Sequence, residues 1–302
     1  MTQKATLNLQ ENRDIGQVLN ATFAFIRIVF KPLYRDVLII SGPFYLLAGI
    51  FSSLSTYNLV SKALGALGGV NMYLYQFYSP AYWLNLLFLL IAWSLSTVII
   101  GNHVLQYKLN GPDYSPVEAR KGIREDIMRV IFGNFLNLLV ILAACILFLI
   151  PGIYLAVANS LLTTILILDK RMSTIDAFSE SRRLVRNNWW ATLGLGIIIG
   201  IITSAMQFVF KIPSTIVSTI ITFSTLRHTG DAASYQTLFI ALNALAFFGI
   251  AAVSPISMIA SCIYYYSLKE RKDHAGLIQN IDNIGVQPAR TETETKRDEG
   301  DF

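Results

Sequence analysis

Six apolar stretches of bilayer-crossing length alternate with polar connections along the chain. They lie at about 36–56, 83–107, 131–150, 152–168, 189–210 and 236–267. A helix needs about 20 apolar residues to cross the hydrocarbon core of a membrane. The pattern therefore predicts an all-α fold, a polytopic membrane bundle of six transmembrane helices.

Two of these stretches contain proline signals for an interruption. The third and fourth form one apolar run, 130–168, which as a single helix would far exceed the ~30 Å hydrocarbon core. We expect this run to fold back at Pro151 and Gly152, because proline ends a helix and glycine permits a turn. The last stretch is too long to cross untilted, and we expect a helix break or kink at Pro255.

Three polar connections begin with a capping-box pattern, in which two side chains satisfy the free N–H groups of a helix start. The pairs are Asp14 with Gln17, Ser115 with Glu118, and Ser173 with Asp176. Counting 16 or 17 residues from each cap reaches Phe30 and Lys31, Ile131 and Phe132, and Trp189 and Trp190, at the approach to the next span. The repetition predicts three interfacial amphipathic elbow helices in a pseudo-repeat of elbow plus hairpin, with units 14–108, 115–169 and 173–268. The alternative is that they are ordinary cytoplasmic loop helices.

The third elbow has the clearest membrane-interface pattern. Ile175, Phe178, Val185 and Trp189 share one helical stripe, which we expect to face lipid. Basic residues near this stripe gain from anionic headgroups, and tryptophans favour headgroup level. The predicted interface residues are Phe178, Arg182, Arg183, Arg186, Trp189 and Trp190.

The charge distribution predicts the orientation. Only 14% of residues are charged and 54% are hydrophobic, with a mean hydropathy of +0.51, whereas soluble domains have about a quarter charged residues. Of the 24 Lys and Arg residues, all but Lys62, Lys211 and Arg227 lie in 1–35, 108–129, 170–186 and 269–302. The positive-inside rule then predicts that both termini are cytoplasmic, in a bacterial inner membrane.

This distribution also divides the chain. A single membrane domain, 14–268, lies between a polar N-terminal tail, 1–13, and a cytoplasmic tail, 269–302, which we expect to be disordered from about 286. The net charge of +5 is assigned to cytoplasmic loops and anionic lipid, and no nucleic acid partner is expected.

The residues do not form a recognisable catalytic or metal-binding pattern. The three histidines, His103, His228 and His274, are far apart in the chain, and the two cysteines lie inside apolar runs. We therefore expect no enzyme activity, no metal and no cofactor. The central parts of the spans contain uncharged polar residues, which either bond between helices or form a polar pocket. The candidate cluster is Asn134, Asn159, Gln207 and Asn243, with Asn159 the best single candidate.

One segment resembles a known family. The run PGIYLAVANSLLTTILILDKRMSTIDAFSESRRLVRNNWW resembles the bacterial multi-pass family typified by the membrane domain of glycerophosphoryl diester phosphodiesterases. The shared pattern is a Pro-Gly-Ile-Tyr turn, an Ala-x-x-x-Ser-x-x-Leu elbow and Trp-Trp. The segments IGQVLNATFAFIRIVFKPL and YYYSLKERKDHAGLIQNID are similar to that family's ends. The resemblance implies a bundle that accompanies a separate catalytic domain, because in that family the catalysis resides in a soluble barrel that these 302 residues have no room for.

These patterns together predict a non-enzymatic membrane protein. We expect a scaffold that engages anionic lipid headgroups and a membrane or cytoplasmic protein partner. The alternative is a transporter, channel or lipid-translocating bundle, because uncharged polar residues can also line a pore.

Overall fold

The computed structural model describes residues 7–63, 76–227 and 232–273, and within these ranges it contains helices and no strand. We number its α-helices in chain order. They are α1 (Ile15–Asp36), α2 (Gly42–Ala63), α3 (Pro80–Asn110), α4 (Pro116–Leu147), α5 (Leu149–Ala158), α6 (Leu162–Leu168), α7 (Thr174–Val185), α8 (Trp189–Arg227) and α9 (Gln236–Asp273).

Six helical segments are long and apolar enough to cross a membrane, as the hydropathy pattern predicts. They are Ile15–Thr56, Pro80–Asp113, Pro116–Leu147, Leu149–Leu168, Thr174–Ser224 and Gln236–Asp273. Several are longer than the apolar stretches, because polar turns continue the same helix beyond the apolar part. The predicted number of spans is confirmed.

The buried core of the bundle is formed mainly by α1, α3, α6 and α9, and α2 packs against α3 and α9. Helix α9 lies closest to α2, where a Cβ at Gly49 would be 2.7 Å from Ala244 Cα. At this contact the Asn243 amide donates to Gly49 O at 3.1 Å and to Ser53 Oγ at 2.9 Å. A small residue and an interhelical amide together allow the two backbones to approach closely.

The fold-back between α4 and α5 does not lie at Pro151 and Gly152. It lies at Phe148, whose backbone is extended (φ −156°, ψ 137°), and both predicted residues are inside the first turns of α5. Proline is tolerated there because the first N–H groups of a helix have no intrahelical acceptor. Gly152 is needed for another reason, since a Cβ at this position would collide with Cys145 Sγ on α4.

The helix does not break at Pro255, because α9 is helical without interruption from Gln236 to Asp273, whereas a kink within this continuous helix stays a prediction. Proline lacks the N–H that would bond the carbonyl four residues earlier, which belongs to Ala251. The Ser254 hydroxyl donates to that oxygen at 2.9 Å. The adjacent serine thus replaces the missing donor, as occurs in membrane helices.

The three predicted caps differ in detail. Asp14 and Gln17 form both bonds of a capping box, and the Ser173 hydroxyl accepts from the Asp176 N–H. Ser115 occupies the N-cap position, but its side chain makes no capping bond, and Pro116 follows it as the first helical residue. After the first cap, α1 continues through a π-helical turn, Val37–Ser41, into α2.

The described part of the N-terminal tail, residues 7–13, packs on the bundle. The Arg13 N–H donates to Ser267 Oγ at 2.9 Å, and the Leu7 N–H donates to the Tyr107 hydroxyl at 2.9 Å. Leu9 is buried. The prediction of a disordered C-terminal tail falls outside the described residues, which end at 273.

Candidate functional site

Helix α7 packs against α5 and α6. Its buried face consists of Ala177, Ser181, Leu184 and Val185. The Ser181 hydroxyl donates to Ala158 O at 2.8 Å, at the end of α5. The predicted lipid stripe is therefore partly wrong, because Val185 lies in the protein core while Ile175 is 76% exposed.

A basic cleft opens beside α7. Its volume is about 570 Å³, and its lining residues are Tyr154, Ser179, Arg182, Arg183, Arg186, Asn187 and Lys272. Three of the six predicted interface residues, Arg182, Arg183 and Arg186, therefore line this cleft. Four cations in one cleft make it a site of positive potential that would attract an anion.

The cations of the cleft are not equally available. The Arg183 guanidinium bonds Glu180 at 2.7 Å and Asp273 at 3.0 Å, and Lys272 donates to the Arg183 carbonyl. Arg182 donates to Asn159 Oδ1 at 3.2 Å and lies over the half-buried Phe178 ring. Arg186 is exposed and forms no ion pair within the described residues. Arg182 and Arg186 are therefore the cations best placed to bind a ligand.

An apolar groove adjoins the cleft. It has a volume of about 770 Å³ and is lined mainly by Ile150, Ile153, Tyr154, Trp189 and Trp190. The Tyr154 and Trp189 rings stack at a centroid distance of 5.9 Å, and Trp190 is 78% exposed.

The groove and the cleft share part of their lining. The residues common to both are Tyr154, Arg186 and Asn187. A cationic surface and an apolar surface are therefore continuous at the start of α8.

A separate polar cavity lies among α3, α4, α6 and α9. Its volume is about 390 Å³. Asn134 and Asn159 both line it, so two members of the predicted polar cluster are brought together. Thr163 Oγ1 donates to Asn134 Oδ1 at 2.7 Å, and the Asn134 amide donates to Ser94 Oγ at 3.0 Å.

The other two members of the predicted cluster lie elsewhere. Asn243 bonds α2, as described above, and Gln207 is on α8, outside the lining of the cavity. The sequence-based grouping is thus half correct. Polar residues in apolar helices show no clear periodicity, so their sequence positions do not indicate which side chains share a face.

The structure also contains a buried ionic network that sequence reasoning missed. Asp36 and His103, at 2% and 1% exposure, join α1 to α3. His103 Nε2 lies 3.2 Å from Asp36 Oδ2, and the Arg120 guanidinium of α4 donates to the same oxygen at 2.8 Å. The Tyr114 hydroxyl is 2.7 Å from His103 Nδ1.

The partners of His103 define its proton position. A carboxylate only accepts, so the Nε2 atom carries a proton, and in the neutral imidazole Nδ1 then accepts from the Tyr114 hydroxyl. Burial raises the pKa of Tyr114, and the Asp36 charge raises it further, so the phenol stays protonated as this donor. In the sequence, Asp36 follows a polar helical turn and precedes an apolar run. This position at the boundary of a span was the only signal that could have indicated a buried ionic network.

A second buried carboxylate, that of Asp126, lies on α4. Asp126 accepts from the Asn102 amide at 3.0 Å and pairs with Lys170 at 3.2 Å. Gly122 permits this contact, because a Cβ there would collide with the Asn102 side chain. Both networks link α3 to α4 near their polar ends, which favours a structural role.

The described residues contain no group of three or more His, Cys, Asp and Glu side chains that could hold a metal. Cys145 and Cys262 are free thiols. In both buried ionic networks one carboxylate oxygen bonds two protein groups. The cleft, the groove and the polar cavity are the candidate ligand surfaces.

The six apolar helices are, by length and composition, compatible with a multi-pass helical membrane protein. Residues 39–265, about three quarters of the chain, match the model of a family described as a domain of unknown function, DUF7847, and the chain belongs to this family. No curated protein and no solved structure matches the chain.

Proposed function

We propose that the protein is a non-enzymatic membrane scaffold that holds an anionic phospholipid at the start of α8. The observation that carries this proposal is the shared boundary of the basic cleft and the apolar groove. A phospholipid has the same two chemistries in the same order, with a phosphate next to acyl chains. Its phosphate would lie against Arg182 and Arg186, and an acyl chain along Ile150, Ile153 and Trp190.

The chemistry of the cleft suits a phosphate. Arginine binds phosphate through a planar fork of N–H donors, and its pairs with phosphate are stronger than neutral hydrogen bonds. Tryptophan and tyrosine rings favour the headgroup level of a membrane, where one edge is apolar and the other polar. The exposed Trp190 and the stacked Tyr154 and Trp189 fit that position.

The orientation and the elbows are part of the same proposal. We place both termini on the cytoplasmic side, with α7 and the first turns of α1 and α4 at the inner leaflet as elements of a threefold pseudo-repeat. The side-chain caps at the starts of α1 and α7 and the three basic connections support this arrangement. A reporter active only outside the cytoplasm should give signal when fused at Gly68 and none at Gly111. Signal at Gly111 would overturn the orientation.

The scaffold role includes a protein partner. The resemblance to the membrane domain of glycerophosphoryl diester phosphodiesterases, in which the bundle accompanies a catalytic domain, supports this part of the proposal. Affinity capture from native membranes should recover a partner, and deletion of residues 275–302 should reduce its yield. A chain recovered alone, with or without those residues, would contradict the partner.

Native mass spectrometry of the purified protein tests the lipid site. Phosphatidylglycerol should bind more tightly than phosphatidylcholine, and Arg186→Gln should weaken phosphatidylglycerol binding about fivefold, because one interfacial cation contributes ~1 kcal/mol. Arg124→Gln, which removes an exposed cation from α4, is the matched control and should leave binding unchanged. Equal losses in the two variants, or none in either, would show that the cleft is not a specific lipid site.

A further inference from the structure

The polar cavity is separate from the cleft and the groove, and no part of the scaffold role uses it. It lies between α3, α4 and α9 on one side and the interruption between α5 and α6 on the other. We propose that this cavity binds a small neutral molecule with several hydroxyl groups.

Two residues that line this cavity each have a buried polar atom without a partner, one a hydrogen-bond donor and the other an acceptor. Asn159 Nδ2 and Asn137 Oδ1 are buried and have no hydrogen-bond partner in the described structure. Both residues line the cavity, and Asn159 is 1% exposed. A buried polar group without a partner is destabilising, so each such group requires an explanation.

The orientation of the Asn159 amide is fixed by its neighbour. The Arg182 Nε–H group can only donate, and it lies 3.2 Å from the amide oxygen. The amide nitrogen, which is a donor, is therefore the atom of Asn159 that is left without a partner. The cavity thus offers one unused donor, from Asn159, and one unused acceptor, from Asn137.

The backbone next to the cavity is interrupted. Residues 159–161 form a turn between α5 and α6, so the fourth span is a discontinuous helix. Non-helical backbone at membrane depth is tolerated where it is buried in protein or lines a cavity. In transporters such interruptions place binding groups near the middle of the membrane.

Side chains of α7 bond polar groups at the interruption from one side only. The Ser181 hydroxyl of α7 donates to Ala158 O, and Arg182 bonds the Asn159 oxygen, both on the side of the cleft. On the other side, the Asn159 nitrogen is left to the cavity. The interruption is thus stabilised by α7 and presents its amide donor to a ligand.

The lining excludes a charged ligand. It is composed of asparagine, serine, threonine and apolar side chains, among them Trp93 and Met258, without an ionisable group. A charge in a poorly hydrated site without a counter-charge is costly, whereas a hydroxyl group can both donate and accept. A polyol therefore matches the unused donor and the unused acceptor, and its carbon atoms match the apolar part of the lining.

Saturation-transfer difference NMR on the protein in phosphatidylcholine nanodiscs tests this proposal, with erythritol as the probe. Erythritol should give a saturable signal, and 1-butanol, with the same number of carbons and one hydroxyl, should not. Asn137→Leu should weaken erythritol binding about three- to tenfold, the effect of one lost hydrogen bond. Asn243→Leu, an amide outside the cavity, is the control and should bind as the wild type does.

A second variant protects the test against misfolding. Asn159→Leu removes the donor but also leaves Arg182 without its amide partner, whereas Asn137→Leu removes an atom that bonds no protein group. Asn137→Leu should therefore keep or raise the melting temperature of the protein while its affinity for erythritol falls. Erythritol binding that does not saturate, or that is unchanged in both variants, would overturn the proposal.

The hydroxyl groups could come from a free polyol or from a neutral sugar-headed lipid. Nanodiscs that contain monogalactosyl diacylglycerol distinguish these sources. A lipid headgroup in the cavity would compete with erythritol and lower its signal, and a free polyol site would be unaffected. Because these nanodiscs lack anionic lipid, the outcome is independent of the phosphatidylglycerol experiment on Arg186.

Discussion

Ser254→Ala should destabilise the protein, because the Ser254 hydroxyl serves a carbonyl that has lost its normal donor. In a regular helix the N–H of residue 255 would bond Ala251 O, and Pro255 has no N–H. The Ser254 Oγ atom lies 2.9 Å from this oxygen. Ser254 and Ala251 are both buried, so water cannot replace the serine hydroxyl as a donor to this oxygen.

The magnitude follows from what is left behind. A buried acceptor without a partner lowers stability by about 1–3 kcal/mol. In a Pro255→Ala background the backbone regains an N–H for Ala251 O, so the same serine substitution should lower the free energy of unfolding by less than ~0.5 kcal/mol. The two positions should therefore show a coupling free energy of about 0.5–3 kcal/mol, with any separate effect of Pro255→Ala cancelling in the cycle.

The assay is unfolding of the purified protein in detergent micelles by titration with sodium dodecyl sulfate, followed by circular dichroism. Wild type, both single variants and the double variant complete the cycle. Ser257→Ala is the control, because its hydroxyl bonds the Ser254 carbonyl within a helix that retains its own N–H donors. Equal losses from Ser254→Ala in the two backgrounds would refute the reasoning.

Two further predictions use the same unfolding measurement. Gly49→Ala should lower stability by about 1–3 kcal/mol, because its Cβ would meet the α9 backbone. Gly196 has open space around it, so Gly196→Ala should be neutral or stabilising by up to ~1 kcal/mol. Similar losses of stability in both variants would contradict the close contact between α2 and α9. Asp36→Asn should lower stability by about 1.5–3 kcal/mol, because it weakens the bonds to the charged Arg120 and to the neutral His103, and Glu125→Gln, which loses an exposed ion pair, by under ~1 kcal/mol. The reverse order would show that the Asp36 network is not structural.

Hydropathy and capping chemistry were sufficient to predict the number of spans and the start of α1. Each of these depends on residues that are close in the chain, so a local pattern contains the information. The Asp14 capping box is an example, since its two bonds join residues three positions apart.

The interruptions were less predictable, because their positions depend on contacts between distant residues. Proline indicated a break at Pro151 and Pro255, yet the chain turns at Phe148, and α9 is uninterrupted. The break after Ala158 has no proline or glycine signal. It depends on Ser181 and Arg182, which approach from another helix.

The candidate sites show the same division. Arg182, Arg186, Trp189 and Trp190 were identified because cations and aromatic rings cluster in one segment of the chain. Tyr154 and Lys272 complete the cleft from other helices, and the sequence contains no pattern that joins them. Asn137 became a candidate only when its oxygen was found to be buried without a partner.

The bond between Arg182 and Asn159 joins the two proposed sites through a single shared side-chain pair. A phosphate that draws the Arg182 N–H away from Asn159 leaves that amide free to reverse, so that it can offer its oxygen to the cavity in place of its nitrogen. Occupancy of one site then changes the hydrogen-bonding character of the other. By thermodynamic linkage the effect is equal in both directions, so a lipid that alters the affinity for a polyol by some factor has its own affinity altered by that same factor.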